Sequence, residues 1–147
     1  MALMILTACS GTGKSTIVRA LMSRYPKLKL SVSHTTRSPR LGEVDGEAYH
    51  FIDQTQFKEM ITHDEFVEWA EYAGNHYGTS HQMIREAHRQ GVHLLFEVDT
   101  VGAKALKIAY PQALSCFLLP PSWPELEYRL RSRGTENEVM IKRRLSV

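Results

Sequence analysis

Apolar runs alternate along most of the chain with segments whose apolar residues recur at helical spacing. The runs that predict buried strands are "LMILTA", "GVHLLFEVD" and "ALSCFLLP". The segments that predict helices are "STIVRALMSRY", "SHQMIREAHRQ" and "GAKALKIAY". Because the predicted strands and helices alternate, the pattern favours an α/β fold in which helices flank both faces of a parallel core sheet.

The region between residues 31 and 80 does not continue this alternation. It is rich in Thr, Arg, Pro, Gly, Tyr and acidic residues, and it contains one predicted helix, "QTQFKEMITHDEF". We interpret residues 32–80 as a subdomain inserted into a core of residues 1–31 and 81–120. Residues 121–147 contain two more helical patterns, separated at Gly134, and the expectation that this segment forms a lid comes from the family resemblance of its motifs. The chain is therefore predicted to be one domain over residues 1–147.

Composition narrows the class of protein. The chain has 147 residues, of which 43% are hydrophobic and 23% are charged, as is usual for a soluble globular domain. A net charge of +2 is too small to indicate a nucleic-acid or membrane partner. No apolar stretch approaches the roughly 20 residues of a membrane helix. Cys9 and Cys116 are far apart and lack metal-ligand spacing, which favours a reducing compartment. We expect a cytoplasmic protein.

The stretch "TACSGTGKST" joins the first predicted strand to the first predicted helix. Gly13, Lys14 and Ser15 fit the phosphate-loop pattern, whereas Ala8 stands where its first glycine is usual. Backbone N–H groups and the helix dipole converge on an anion in such a loop. An incidental glycine-rich turn is the alternative. The residues predicted to bind ATP are Ala8, Cys9, Ser10, Gly11, Thr12, Gly13, Lys14, Ser15 and Thr16.

A magnesium site is predicted beside this loop. The Ser15 hydroxyl is suited to hold Mg²⁺ while Lys14 reaches the β- and γ-phosphates. Asp99 follows a buried strand, where nucleoside triphosphatases place a metal-linked carboxylate. Glu97 lies two residues earlier on the same side of that strand. We predict Ser15 and Asp99 as the metal ligands; a surface carboxylate is the alternative for Asp99.

Three further motifs accompany the phosphate loop, namely "SVSHTTRSPRLGEVDGEAYHF", "FVEWAEYAGNHYGTS" and "RLRSRGTE". In this order and spacing, the four motifs resemble guanylate kinase over essentially the whole chain. The resemblance implies a P-loop nucleoside monophosphate kinase with a GMP-binding subdomain and a lid, which uses ATP and Mg²⁺ to phosphorylate GMP. The chain departs from the family at Val101, where glutamine is usual. Its last helical pattern reaches Val147 without a stop signal, so we expect the family's C-terminal segment to be missing.

The acceptor site is predicted partly from chemistry and partly from the resemblance. Two arginines, Arg37 and Arg40, with the Tyr49 hydroxyl could clamp a monophosphate. Guanine donates two hydrogen bonds along one edge and accepts at O6, which suits a carboxylate and hydroxyls. A solubilising basic loop and a surface Glu68 are the alternatives. With the positions that the resemblance implies, the substrate-binding set is Ser33, Arg37, Arg40, Glu43, Tyr49, Glu68, Tyr77, Thr79 and Asp99.

The basic cluster "RSRGTENEVMIKRR" resembles the mobile lid of the family. Arg133 and Arg144 match lid positions that approach the transferred phosphoryl group, and Arg129 and Arg131 are candidates to face ATP. Phosphoryl transfer depends mainly on positioning and on positive charge around the phosphoryl oxygens. The predicted catalytic set is Lys14, Arg37, Asp99, Arg133 and Arg144.

Two other functions remain open at this point. Guanylate-kinase-like modules of scaffold proteins bind peptides without catalysis, but they typically lack a working phosphate loop, so Lys14 and Ser15 argue against this class. A kinase of the same fold could act on another phosphorylated acceptor, such as a ribose bisphosphate. Glu68, Thr79 and the arginine clamp argue against that acceptor. The oligomeric state is also open, and a homo-oligomer is compatible with the sequence.

Overall fold

A computed structural model of the chain describes residues 1–9, 11–72, 74–132 and 141. Three predicted site residues, Ser10, Arg133 and Arg144, lie outside the described residues. The described part contains eight strands and five helices. In chain order they are β1 (Leu3–Ala8), α1 (Lys14–Arg24), β2 (Leu28–Leu30), β3 (His34–Thr35), β4 (His50–Phe51), α2 (Gln54–Thr62), β5 (Phe66–Tyr72), β6 (Asn75–Ser80), α3 (His81–Gln90), β7 (His93–Glu97), α4 (Thr100–Ala109), β8 (Leu114–Leu118) and α5 (Trp123–Ser132).

The first sheet is parallel and has the strand order β2-β7-β1-β8. Successive residues of β1 point to opposite faces, so Ile5 and Leu6 enter different cores. Ile5 packs with Phe96 and with Leu106 of α4, whereas Leu6 packs with Val18 of α1. Helices therefore cover both faces of the sheet, and the α/β fold class with a parallel core sheet is confirmed.

The second sheet is formed by the inserted region and is mixed. Its strand order is β4-β3-β6-β5, with β3 parallel to β4 and β6 antiparallel to both of its neighbours. Phe57 of α2 is fully buried against it and stacks on Phe66 at 4.5 Å between ring centroids. Gly78 lies beneath these rings, where an added Cβ would come within 2.8 Å of Phe66. This close packing needs glycine at position 78.

The helix predicted within the inserted region is shorter than expected. Asp53 caps its start through a capping box with Gln56, and α2 ends at Thr62. Asp64 then adopts a left-handed φ of 53°, which turns the chain, and Phe66 begins β5. The sequence pattern places Phe66 in the helix because this residue fits the apolar periodicity. In the structure, the turn at Asp64 ends the helix before Phe66, which then begins a strand.

The two sheets are joined so that the carboxyl edge of the first and one face of the second line a common cleft. β6 ends at Ser80 and α3 begins at the next residue. Residues 31–33 link β2 to β3, and the Met83 sulfur of α3 accepts hydrogen bonds from Ser31 Oγ (3.0 Å) and Val32 N (3.2 Å). The predicted boundaries of the subdomain (32–80) and the lid (121–147) remain predictions. Within the described ranges, no helix combines the length and apolarity needed to cross a membrane.

Candidate active site

A cavity of about 570 Å³ lies between the carboxyl ends of β2 and β7, the start of α1 and the face of the second sheet. Such a position at the carboxyl edge of a parallel sheet is where α/β proteins bind their ligands. The predicted site residues that line it are Lys14, Ser15, Ser33, Tyr49, Glu68, Tyr77 and Asp99. The structure thus gathers one group from the phosphate loop and another from the inserted region around a single space.

The phosphate loop is shaped by glycine and closed by its own hydrogen bonds. Gly13 has a left-handed φ of 98° and begins α1 without any side-chain cap, which leaves N–H groups of the first turn for an anion. Thr12 Oγ1 donates to the Cys9 carbonyl at 2.9 Å. An added Cβ at Gly11 would come within 3.0 Å of Leu126 on α5. Gly11 therefore makes room for α5, and the open N–H groups after Gly13 are compatible with the predicted phosphate site.

A cation from α5 also reaches this loop. Arg129 NH1 donates to the Thr12 carbonyl at 3.2 Å, and its Nε donates to Glu125 at 2.7 Å. These contacts hold the guanidinium beside Gly13. The expectation that Arg129 faces ATP is compatible with this position and stays a prediction.

The carboxylate that touches the phosphate loop is Glu97. Ser15 Oγ donates to Glu97 Oε1 at 3.2 Å, and Lys14 Nζ lies 3.9 Å from the same oxygen. Asp99 instead caps α4, where its Oδ1 accepts from Gly102 N at 2.8 Å. The sequence analysis predicted Asp99 as a metal ligand and placed Glu97 two residues earlier on the same side of the strand. The metal role of Asp99 stays a prediction, while the contacts favour Glu97.

The donor set beside the loop suits magnesium. Hydroxyl and carboxylate oxygens from Ser15 and Glu97 are ligands that Mg²⁺ prefers, and this ion usually takes its other ligands from water and substrate phosphates. Among the described residues, no group of three or more His, Cys, Asp or Glu side chains could hold a metal. The residues present therefore fit a metal held partly by phosphate.

The predicted phosphate clamp is built around Arg37. Its NH2 group donates to both oxygens of Glu43, each at 2.9 Å, and its guanidinium lies 5.4 Å from the Tyr49 ring centroid. The rings of Tyr49 and Tyr77 meet edge to face at 5.9 Å. Arg40 is exposed and contributes a backbone hydrogen bond to Glu43 at 2.7 Å. Glu43 thus contacts Arg37, and direct contacts of either residue with substrate stay predictions.

Protonation of Glu43 is disfavoured in this arrangement. The hydrogen bond from the backbone of Arg40 lowers the pKa of Glu43 most, partial burial opposes the change, and the hydrogen bond and charge of Arg37 lower it further. The carboxylate therefore stays ionised and holds the Arg37 fork in place.

Glu68 of β5 lines the same cavity. Thr79 Oγ1 donates to Glu68 Oε1 at 2.6 Å, because β5 and β6 pair these two residues directly after a bulge at Phe66. Burial raises the pKa of Glu68, the Thr79 hydroxyl opposes this, and the negative charge of Asp99 adds to it. Asp99 therefore lies near the predicted guanine site as well as near the loop.

Some residues that line the cavity could not be identified as site residues from the sequence. The cavity wall also includes Leu30, Ser31, Ala48, Ala70 and Gly78, which are small or apolar residues without a chemical signature. Glu97 did carry a signal, since it is an acidic residue at the end of a buried strand. The lid residues Arg133 and Arg144 lie outside the described part of the chain.

Comparison with known proteins agrees with this geometry. The family model for guanylate kinase matches residues 1–147. Guanylate kinase from a Nostoc species is 48% identical over 143 residues, which cover 97% of this chain and 72% of that protein. Guanylate kinase from Prochlorococcus marinus subsp. pastoris is 49% identical over 144 residues, which cover 98% of this chain and 78% of the relative.

A solved structure shares the fold. The crystal structure of guanylate kinase from Anaplasma phagocytophilum superposes with a TM-score of 0.71 at 31% identity, covering 90% of this chain and 67% of that one. The match spans both the parallel core and the inserted region, so the predicted family, fold and enzyme class are confirmed. The chain belongs to the guanylate kinase family.

Proposed function

We propose that this chain transfers the γ-phosphoryl group of ATP to GMP, giving ADP and GDP, with Mg²⁺ as cofactor. The observation that carries the proposal is the single cavity lined by both the phosphate loop and Glu68. The loop is suited to a triphosphate and the buried carboxylate to guanine. A protein that only bound a single nucleotide would not need the phosphate loop and Glu68 to line the same cavity.

Guanine recognition rests on matched hydrogen bonds. The N1–H and 2-amino groups of guanine can donate to Glu68, whose Oε1 keeps lone-pair capacity beside the bond from Thr79. Adenine offers no such pair of donors on this edge. A buried polar group left unpaired costs about 1–3 kcal/mol, which disfavours AMP. The nearby Asp99 adds negative charge that favours the 2-amino group.

Binding of the GMP phosphate rests on the cluster around Arg37. Its guanidinium is held by Glu43 and lies beside the rings of Tyr49 and Phe51. A fixed fork loses little conformational freedom when it binds phosphate oxygens. The phosphate of GMP is itself an anionic nucleophile, so no general base is required.

On the donor side, the residues of the loop bind and orient the triphosphate. The open N–H groups at the start of α1 and the ammonium of Lys14 provide positive potential for the β- and γ-phosphates. Ser15 and Glu97 are the residues placed to hold Mg²⁺. When bound, Mg²⁺ neutralises charge that develops on the phosphate oxygens. Lys14 Nζ also donates to the Val98 carbonyl at 3.4 Å, which directs it toward the cavity.

An assay of ADP formation tests this function. GMP, AMP, UMP and a ribose phosphate are offered in turn with ATP and Mg²⁺, and ADP is measured by a coupled reaction. We expect GMP to give the highest kcat/KM. Binding of GMP without turnover would instead support a non-catalytic binding module, and turnover of the ribose phosphate would support a kinase for another acceptor.

We place the reaction in the cytoplasm. Cys9 and Cys116 are free thiols, which suits a reducing compartment. We also propose that the protein can form a homo-oligomer. β8 is an edge of the described parallel sheet and exposes Leu114 and Phe117, and an apolar strand edge of this kind favours association. Light scattering at several protein concentrations would reveal such association.

A further inference from the structure

The first turn of α4 lies directly against Glu68. A Cβ added at Gly102 would come within 3.2 Å of Glu68 Oε2 and 3.4 Å of its Cδ. The same Cβ would lie 3.2 Å from Val98 Cβ. The two separations of 3.2 Å are a few tenths of an ångström shorter than ordinary van der Waals contact, and the separation from Cδ is at its lower limit. A side chain at position 102 would therefore require Glu68, Val98 or both to shift by a few tenths of an ångström.

Helix formation does not explain a glycine at this position. Gly102 lies inside α4 and is not among the residues with a left-handed φ. Alanine is more favourable than glycine inside a helix. The N–H of Gly102 donates to Asp99 Oδ1 at 2.8 Å, a bond that any residue except proline could make. The remaining feature that distinguishes glycine here is its lack of a side chain.

Glu68 is held on two sides by this arrangement. Its Oε1 accepts from Thr79 Oγ1 at 2.6 Å, and its Oε2 lies 3.2 Å from the place that a Cβ of residue 102 would occupy. The turn that carries Gly102 also holds the Asp99 side chain. The orientation of the Glu68 carboxylate therefore depends on the core helix α4 as well as on the neighbouring strand β6.

We propose that Gly102 is a positioning residue for guanine specificity: its missing side chain allows the Glu68 carboxylate to lie between Thr79 and α4, where it accepts from the base. This inference rests on the proposed GMP kinase function. It assigns part of the acceptor specificity to a residue outside the inserted region.

The test begins with Gly102→Ala. We expect the Kd and KM for GMP to rise roughly tenfold, because a displaced carboxylate loses at least one hydrogen bond to the base. The KM for ATP should be unchanged, and any fall in melting temperature should be small, because the helix preference of alanine offsets the close contact of its Cβ with Val98. The matched control is Val101→Ala in the same turn, whose side chain is exposed and should leave GMP affinity unchanged. Unchanged GMP affinity in Gly102→Ala would overturn the inference.

A double-mutant cycle separates Glu68 from Val98 as the cause. Glu68→Asp shortens the side chain and withdraws the carboxylate from position 102, so adding Gly102→Ala should then change the Kd for GMP by less than about twofold. Calorimetry at high GMP concentration measures all four proteins. An equal loss in both backgrounds would assign the effect to Val98 and overturn the inference.

The two proposals fail in distinguishable ways. If the protein binds GMP but forms no ADP, the kinase function fails and calorimetry still tests the role of Gly102. If GMP turnover is normal and the cycle is additive, only the role of Gly102 fails. If GMP does not bind at all, both proposals fail.

Discussion

The two sheets are stabilised by different chemistry. In the parallel sheet the most buried residues are aliphatic or aromatic, and Ile5, Leu95 and Phe96 are at most 1% exposed. In the mixed sheet Thr35 and Thr79 are equally buried, at 0% and 1%. A buried hydroxyl needs a partner, whereas a buried aliphatic chain needs only contact. The first sheet is thus a scaffold held by apolar burial, and the second combines burial with specific hydrogen bonds.

The partners of the two buried threonines show what the second sheet is for. Thr79 donates to Glu68, and Thr35 Oγ1 donates to the His76 carbonyl at 2.9 Å while accepting from Arg37 N at 3.2 Å. These hydroxyls fix the two segments that carry the predicted guanine and phosphate ligands. We therefore expect substitutions in the first region to affect stability or ATP, and substitutions in the second to affect GMP.

The largest expected effect is that of Lys14→Met on turnover. The lysine serves the ATP phosphates, so kcat should fall about a thousandfold or more, equivalent to about 4 kcal/mol of transition-state stabilisation. GMP binding should remain nearly intact. A rate assay and GMP calorimetry separate the two effects. Near-normal turnover would contradict the assignment of the phosphate loop.

Phe57→Ala and Phe96→Ala compare the two cores directly. Both side chains are essentially fully buried, so each truncation should lower the free energy of unfolding by about 3–5 kcal/mol. Only Phe57→Ala should also weaken GMP binding strongly, because Phe57 packs on the sheet that carries Glu68. Denaturant unfolding and calorimetry with each nucleotide measure both effects. Equal losses of GMP affinity in the two variants would remove the distinction between the regions.

Glu68→Gln probes recognition within the second region. The amide keeps one acceptor but replaces the other with a donor, so it cannot accept from both guanine donors. We expect the advantage of GMP over AMP in kcat/KM to narrow by about 1–3 kcal/mol. The KM for ATP serves as the internal control. An unchanged ratio of GMP to AMP would show that guanine is read elsewhere.

The smallest expected effect is the contribution of His34 to stability at acid pH. The pKa of His34 is lowered to about 4, chiefly by burial and also by the neighbouring His50, while Asp45 opposes the change. An unfolded histidine titrates near 6.5, so between these values the unfolded chain binds the extra proton. The stabilising contribution is therefore complete above pH 6.5 and decreases as the pH falls toward 4.

Melting temperatures measured from pH 7 to pH 4 test this effect. We expect His34→Phe to reduce the acid loss of stability, because no proton is then taken up at this position. His63→Gln, which alters an exposed histidine at the end of α2, should leave the pH dependence unchanged. A pH profile that is identical in the His34 variant and the unaltered chain would contradict the assignment.

Three strands of the parallel sheet were predictable because their signal is local, whereas β2, with only three residues, was not predicted. β1, β7 and α4 appear as apolar runs or apolar periodicity within the segment itself. The mixed sheet escaped prediction because β3 and β4 have only two residues each and contain polar side chains. Their strand character comes from pairing with β6, which no local pattern encodes.

The features of the candidate site also fall into two groups: residues that a local motif identifies, and contacts that depend on the pairing of distant segments. The glycine-rich loop, the arginine pair and Glu68 were identified from residue chemistry and from the family motifs. The contact between Ser15 and Glu97, separated by 82 positions, follows from the parallel alignment of β1 and β7. The pairing of Glu68 with Thr79 depends on a bulge that shifts the register of β5.

The sequence by itself determined the family, the parallel core and the kinds of side chain that the reaction needs, because motifs and periodicity are properties of short segments. Only the tertiary structure decided which carboxylate touches the phosphate loop and that position 102 lies close to Glu68. Those features depend on strand order, register and the packing of α4 against β5, which the whole chain settles together. A one-residue change in register would exchange the faces of a strand, so local pattern alone cannot choose between such contacts.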